Sequence, residues 1–125
     1  YESTITAQFF GHTHFDEFEV FYDSSNSTRA ISIAYVGPSV TPYWNLNPGY
    51  RIYYVDADGD DSTRLVVDHE TWIMNLTEAN LNDAPVWRKS YRAREAYQMK
   101  SLLPQEWDSF IHKMMKNSST FDMYY

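Results

Sequence analysis

Gly11-His12-Thr13-His14 is the stretch with the clearest capacity for chemistry. The chain has four histidines, and two of them stand here with one residue between. On an extended backbone, residues i and i+2 point to the same side, roughly 6.5–7 Å apart. Two such imidazoles can converge on one metal ion or on two neighbouring ions, which in hydrolytic sites lie ~3.5–4 Å apart. Gly11 leaves room for backbone and ligands to approach closely. The same residues also suit a plainer role, two solvated or hydrogen-bonded histidines in a loop. Zinc takes at least three protein ligands, and only His69 and His112 remain as nitrogen donors, neither with a local partner. If His12 and His14 bind metal, they are therefore part of a site. Asp16 and Glu17 follow closely, either as carboxylates that orient a ligating imidazole or as a solvated strand edge.

The elements that must position this motif read as β first and α after. Thr4 to Phe10 predicts a strand that ends at the histidine turn, and Glu17 to Tyr22 alternates apolar and acidic residues as a second. SSNST at 24–28 is a polar hairpin or loop. Ala30 to Val36 is apolar on both faces and predicts a buried central strand. Asn47-Pro48-Gly49 offers Pro and Gly at the two central positions of a type II turn. Tyr50 to Val55 and Arg64 to Met74 predict strands around the acidic turn DADGDD at 56–61, which lacks the spacing and closing Glu of an EF-hand loop. His69 sits in this last strand and reads as a hydrogen-bonded strand residue. Pro85 to Gln98 predicts a helix capped by Asp83 or Asn82, with Arg92, Arg94 and Glu95 on a solvated or ion-paired face. Pro104 to Lys116 predicts a second, with Pro104 at its first position and Glu106 and Asp108 at its positive end. The fold class is α+β. Residues 1–76 form a β-rich portion carrying the histidine motif, and 77–125 a helical C-terminal portion, together one partial domain. Tyr43 and Trp44 lie in a loop-like stretch, as core aromatics or as an exposed pair able to hold a quaternary ammonium by cation–π contact.

With 125 residues, 43% of them hydrophobic, the chain can build a core. Its net charge of −7 argues against a nucleic-acid partner, since phosphate contact needs a basic face. No stretch approaches the ~18 apolar residues of a membrane span. The sequence opens at Tyr1 in strand-like residues, without an initiator Met or a basic and apolar leader, which suggests a piece of something longer. Cysteine is absent, as in many cytosolic proteins. Against that stand three N-x-[ST] sequons, at Asn26, Asn75 and Asn117; their use would place the protein in a lysosomal or secreted setting.

A longer stretch carries a family resemblance. AQFFGHTHFDEFEVFYD resembles the last metal motif of the calcineurin-like metallophosphoesterases, in the form found in acid sphingomyelinases. The similarity continues through VGPSVTPYWNLNPGYRIY, LVVDHETWIMNLTEAN and YRAREAY, and covers Tyr1 to about Trp107. It implies the C-terminal part of the catalytic domain: the back half of a β-sandwich, with strands in residues 4–74, followed by two C-terminal helices. It further implies a two-zinc site, with His12 and His14 each serving a different ion, and Tyr43 lining the phosphocholine pocket. The substrate would be sphingomyelin at a membrane surface, cleaved to ceramide and phosphocholine. No residue matches a catalytic acid or base, and the other metal ligands lie outside this sequence. The chain alone is expected to be inactive and to depend on the rest of the parent catalytic domain. Two rivals remain: a related phosphodiesterase acting on nucleotides or other phosphodiesters, and a noncatalytic isoform or binding module.

Overall fold

The computed structural model describes residues 1–125. The six strands form two three-stranded sheets. The first contains β1 (Gln8–Phe10), β2 (Glu17–Asp23) and β3 (Asn26–Val36), in the order β1-β3-β2. β3 is its central strand and runs antiparallel to β2 but parallel to β1, with Phe10 opposite Val36. The expected buried central strand is thus found, with Ile33, Ala34 and Tyr35 almost wholly enclosed. The second sheet is antiparallel, in the order β4 (Gly49–Val55), β5 (Val66–Met74) and β6 (Trp87–Arg92). Helices α1 (Leu76–Asn82), α2 (Ala93–Tyr97), α3 (Pro104–Lys116) and α4 (Ser118–Tyr124) complete the α+β fold.

α3 has the bounds expected from its pattern. Pro104 occupies its first turn, Lys113 and Lys116 its last, and Trp107 and Phe110 are buried. It packs on β2 and β3. One apolar cluster then runs through both sheets, from Ile33 and Tyr35 to Val66, Tyr97, Leu102, Trp107 and Phe110.

The strand expected over Thr4 to Phe10 is confined to its last three residues, Gln8–Phe10, and two further expectations need correction. The segment read as one helix over 85–98 is half strand: Trp87 to Arg92 pair with β5, and only Ala93 to Tyr97 are helical. RAREAY has strong helix formers, but Trp87 and Tyr91 fit a half-buried pleated surface, and a ready partner strand overrides the local preference. Accordingly Arg92 closes a strand and pairs with Asp68 at 2.6 Å. The second correction concerns Gly49, which has no positive φ and opens β4 rather than completing a type II turn. Its glycine is needed for space: an added Cβ would lie 3.0 Å from Pro38 Cβ. Gly49 N also donates to Ser39 O at 2.8 Å, so the two ends of the 37–49 loop are held together.

Candidate metal and head-group site

Parallel pairing of β1 with β3 decides where the motif sits. The C-terminal ends of two parallel strands lie on the same side of a sheet. The 11–16 loop leaves β1 at that side, and the 37–49 loop leaves β3 beside it. Gly37 N donates to Phe10 O at 3.0 Å and joins their roots. The result is direct: the His14 and Tyr43 rings meet edge to face, 5.9 Å between centroids. Residues 29 positions of sequence apart, both singled out from sequence, share one end of one sheet.

The loop itself differs from the extended form. His12 has φ 88° and His14 φ 70°, so both adopt the left-handed region, and the simple i, i+2 alignment does not apply. Such φ values are uncommon for residues with a Cβ and persist where surroundings enforce them. Two side chains do so. Thr13 Oγ1 donates to Glu17 Oε2 at 2.8 Å and accepts from Phe15 N at 3.3 Å. Asp16 turns inward, toward the second sheet, where its carboxylate pairs with Arg51 and accepts from Tyr91 Oη at 2.6 Å. Glu17 is therefore engaged with Thr13, and Asp16 with an arginine; neither makes a hydrogen bond to His12 or His14.

His14 Nδ1 is buried and has no hydrogen-bond partner. An imidazole nitrogen left without a partner in a polar loop fits a ligand to a metal. His12 is exposed. No group of three or more His, Asp or Glu side chains gathers with them, so these residues fit two donors of a larger ligand set. Tyr43 and Trp44 are 61% and 69% exposed and stand edge to face at 5.1 Å. Both are surface aromatics in a single 3-10 turn, Tyr43–Asn45, whose last two residues have φ of 67° and 60°. An open groove of about 500 Å³ runs beside the motif, lined by Phe9, Phe10, Gly11, Val40, Arg51 and Tyr53 among others.

The other two histidines take no part. His69 is 1% exposed and stacks on Trp107, with Tyr35, Tyr53 and Tyr91 at its edges. Burial chiefly, and then the charge of Arg51, pull its pKa from 6.5 to about 3, so it is neutral. It lies on a strand as expected, but its Nδ1 finds no hydrogen bond. His112 Nδ1 bonds Asp108 O at 2.9 Å on α3, while the Asp108 carboxylate accepts from Tyr22 Oη at 2.6 Å and drives that phenol up to about 12. The three sequon asparagines are all exposed. Asn26 Oδ1 accepts from Thr28 N and Oγ1, Asn75 caps α1 through Glu78 N, and Asn117 caps α4 through Thr120 N. No helix is long and apolar enough to cross a membrane.

Sequence reasoning missed the set that receives Asp16. Arg51, Thr71 and Tyr91 are cross-strand partners in one row over β4, β5 and β6. Their spacing is visible in the sequence only once the register of three strands is known.

Comparison with known proteins agrees with the resemblance drawn from the motifs. Residues 29–125 match the family described as the acid sphingomyelin phosphodiesterase C-terminal region. Sphingomyelin phosphodiesterase of Bos taurus is 49% identical over 126 residues, and that of Homo sapiens 47%; each comparison covers 100% of this chain and 20% of the relative. Sphingomyelin phosphodiesterase 2 of Caenorhabditis elegans is 42% identical, over 99% of the chain and 20% of the relative. The chain thus spans about a fifth of the length of these curated relatives. His12 and His14 precede the family match, while the bovine and human comparisons extend over them. The chain belongs to the acid sphingomyelin phosphodiesterase C-terminal family.

Proposed function

We propose that the complete protein is a zinc-dependent phosphodiesterase that cleaves sphingomyelin to ceramide and phosphocholine, and that this chain supplies part of its site. The observation that carries this reading is the His14–Tyr43 contact: an imidazole with an unpartnered buried nitrogen lies against an exposed tyrosine at one end of the first sheet. His12 and His14 would each supply a nitrogen to one of two zinc ions. When bound, such ions activate water and neutralise charge on phosphoryl oxygens. The chain's own contribution is to hold the imidazoles in place and to bring an aromatic face within reach of the substrate. Tyr43, with its ring exposed, suits the quaternary ammonium of the choline head by cation–π attraction. His69 and His112 are engaged elsewhere, so the general acid for the leaving alkoxide comes from outside this chain. Without the remaining ligands the chain alone is inactive.

The sequons at Asn26, Asn75 and Asn117 are exposed and accessible to a glycosyltransferase, and we place the protein in the lysosome or outside the cell. The deciding experiment measures zinc content by mass spectrometry and sphingomyelin turnover for His12→Ala and His14→Ala in the complete protein. Each variant should lose zinc and most activity. Full zinc occupancy with full turnover in either one would return both histidines to a polar turn.

A further inference from the structure

The Arg51 side chain is an enclosed charge, only 2% exposed. Burying a guanidinium is unfavourable, and apolar residues of similar volume often stabilise a fold better. Its ion-pair partner is Asp16, a residue of the loop that carries the histidines. Three strands of the second sheet combine to hold that one carboxylate. Arg51 of β4, Thr71 of β5 and Tyr91 of β6 form a single cross-strand row. Arg51 Nη2 reaches Asp16 Oδ1, while Asp16 Oδ2 accepts from Thr71 Oγ1 at 3.2 Å and Tyr91 Oη at 2.6 Å. The row is bonded within itself as well: Arg51 donates to Thr71 Oγ1 through Nε and Nη2, both at 3.1 Å, and to Tyr91 Oη at 2.9 Å. Burial works most strongly against the Arg51 charge, but Asp16 together with Tyr91 and Tyr53 more than offsets it, and the guanidinium stays above its ordinary pKa.

Asp16 is two residues from His14, so the backbone allows at most about 7 Å between their Cα atoms. His14 adopts a left-handed φ that a free loop would abandon. The Thr13–Glu17 bond closes the loop within its own sheet. Asp16 is the point where the loop is tied to the other sheet.

From this geometry we infer that the Arg51–Thr71–Tyr91 row is a positioning device: by gripping Asp16 it fixes His14 for metal binding. The inference rests on the reading of His12 and His14 as zinc ligands. It differs from direct orientation of an imidazole by a carboxylate, because Asp16 acts through the backbone.

The test uses the complete protein, stripped of metal and titrated with zinc against a chelating dye, with thermal melting measured in parallel. Partners beyond the ligands are commonly worth about 10–100-fold in metal affinity. Thr71→Val combined with Tyr91→Phe should weaken zinc binding about tenfold or more, whereas Thr71→Ser, which keeps the hydroxyl, should retain wild-type affinity. If the double variant does not fold, Tyr91→Phe alone is read the same way. Unchanged zinc affinity with only a lowered melting temperature would make the row purely structural and overturn the inference. His14→Ala separates the two failures. If it loses zinc while the double variant keeps it, the ligand reading stands and the positioning role falls. If it keeps zinc, both fall.

Discussion

Two histidines of this chain leave Nδ1 buried without a partner, His14 and His69. Their surroundings are opposite. His69 lies mid-strand inside an aromatic cage, 6.3 Å from Trp107 and nearly parallel to it. His14 lies in a loop, with a left-handed φ, beside a tyrosine that is 61% exposed. An unpaired nitrogen in the core is a cost the aromatic packing absorbs. An unpaired nitrogen at a loop, held by bonds from its neighbours Thr13 and Asp16, is available to a ligand. Lack of a partner alone does not mark a site; reach and anchoring do.

The sharpest way to break this contrast is to truncate each histidine in the complete protein. His14→Ala should cost at least a hundredfold in turnover, on the scale of losing one preorganised electrostatic group, with little change in melting temperature. His69→Ala should do the reverse. It opens a cavity among four aromatic rings and should destabilise by about 3 kcal/mol, while the folded fraction keeps its zinc. Equal effects of the two changes on turnover and on stability would erase the distinction.

Acid should separate them next. His69 has a folded pKa of about 3 against 6.5 unfolded. Between those values the unfolded chain binds a proton that the folded one refuses, so stability rises with pH. The contribution is complete above 6.5 and is lost as pH falls toward 3, by up to about 1.4 kcal/mol per unit. His69→Phe removes that titration without emptying the cage. Melting temperatures from pH 7 to 4 should fall less steeply for His69→Phe than for the wild type. Parallel slopes would mean that His69 is protonated inside the fold.

How far the sequence foretold this contrast depends on the range of the forces involved. Strand alternation, the glycine stop and the Pro104 helix start are local, and β2, β3, β4, β5 and α3 lie where those patterns put them. The Tyr43–His14 meeting was implied by family resemblance alone, because parallel pairing of β1 with β3 has no local signature. β6 was hidden by helix-forming neighbours. The Arg51–Thr71–Tyr91 row depends on two strand registers, one of which shifts by a bulge between Thr71 and Trp72. A buried Arg gives no sign of its partner until the sheets are assembled.

Tyr43 offers a milder test of the exposed side of the comparison. Tyr43→Ala should weaken turnover of choline-headed substrate by about 0.5–2 kcal/mol of cation–π attraction. Steady-state kinetics with sphingomyelin and with a choline-free phosphodiester should differ, the second being nearly unaffected. An equal loss on both would mean that Tyr43 supports His14 through the ring contact instead of meeting the substrate.

The smallest expected effect tests whether the loop's own bonds matter apart from its histidines. Thr13 stands between them, and its hydroxyl both donates to Glu17 and accepts from Phe15 N. Serine keeps that oxygen and loses only an exposed methyl, so Thr13→Ser should stay within about 0.5 kcal/mol in stability and near wild type in zinc content. Valine keeps the shape and loses the oxygen. Without it Glu17 and the Phe15 amide turn to solvent at modest cost, because the site is exposed and net hydrogen bonds are worth about 1 kcal/mol. The left-handed residues on either side then have one restraint fewer. Thr13→Val should therefore lower zinc affinity more than it lowers the melting temperature, and Thr13→Ser should change neither. If valine and serine behave alike, the loop is held by Asp16 alone, and the difference between His14 and His69 rests on that one carboxylate.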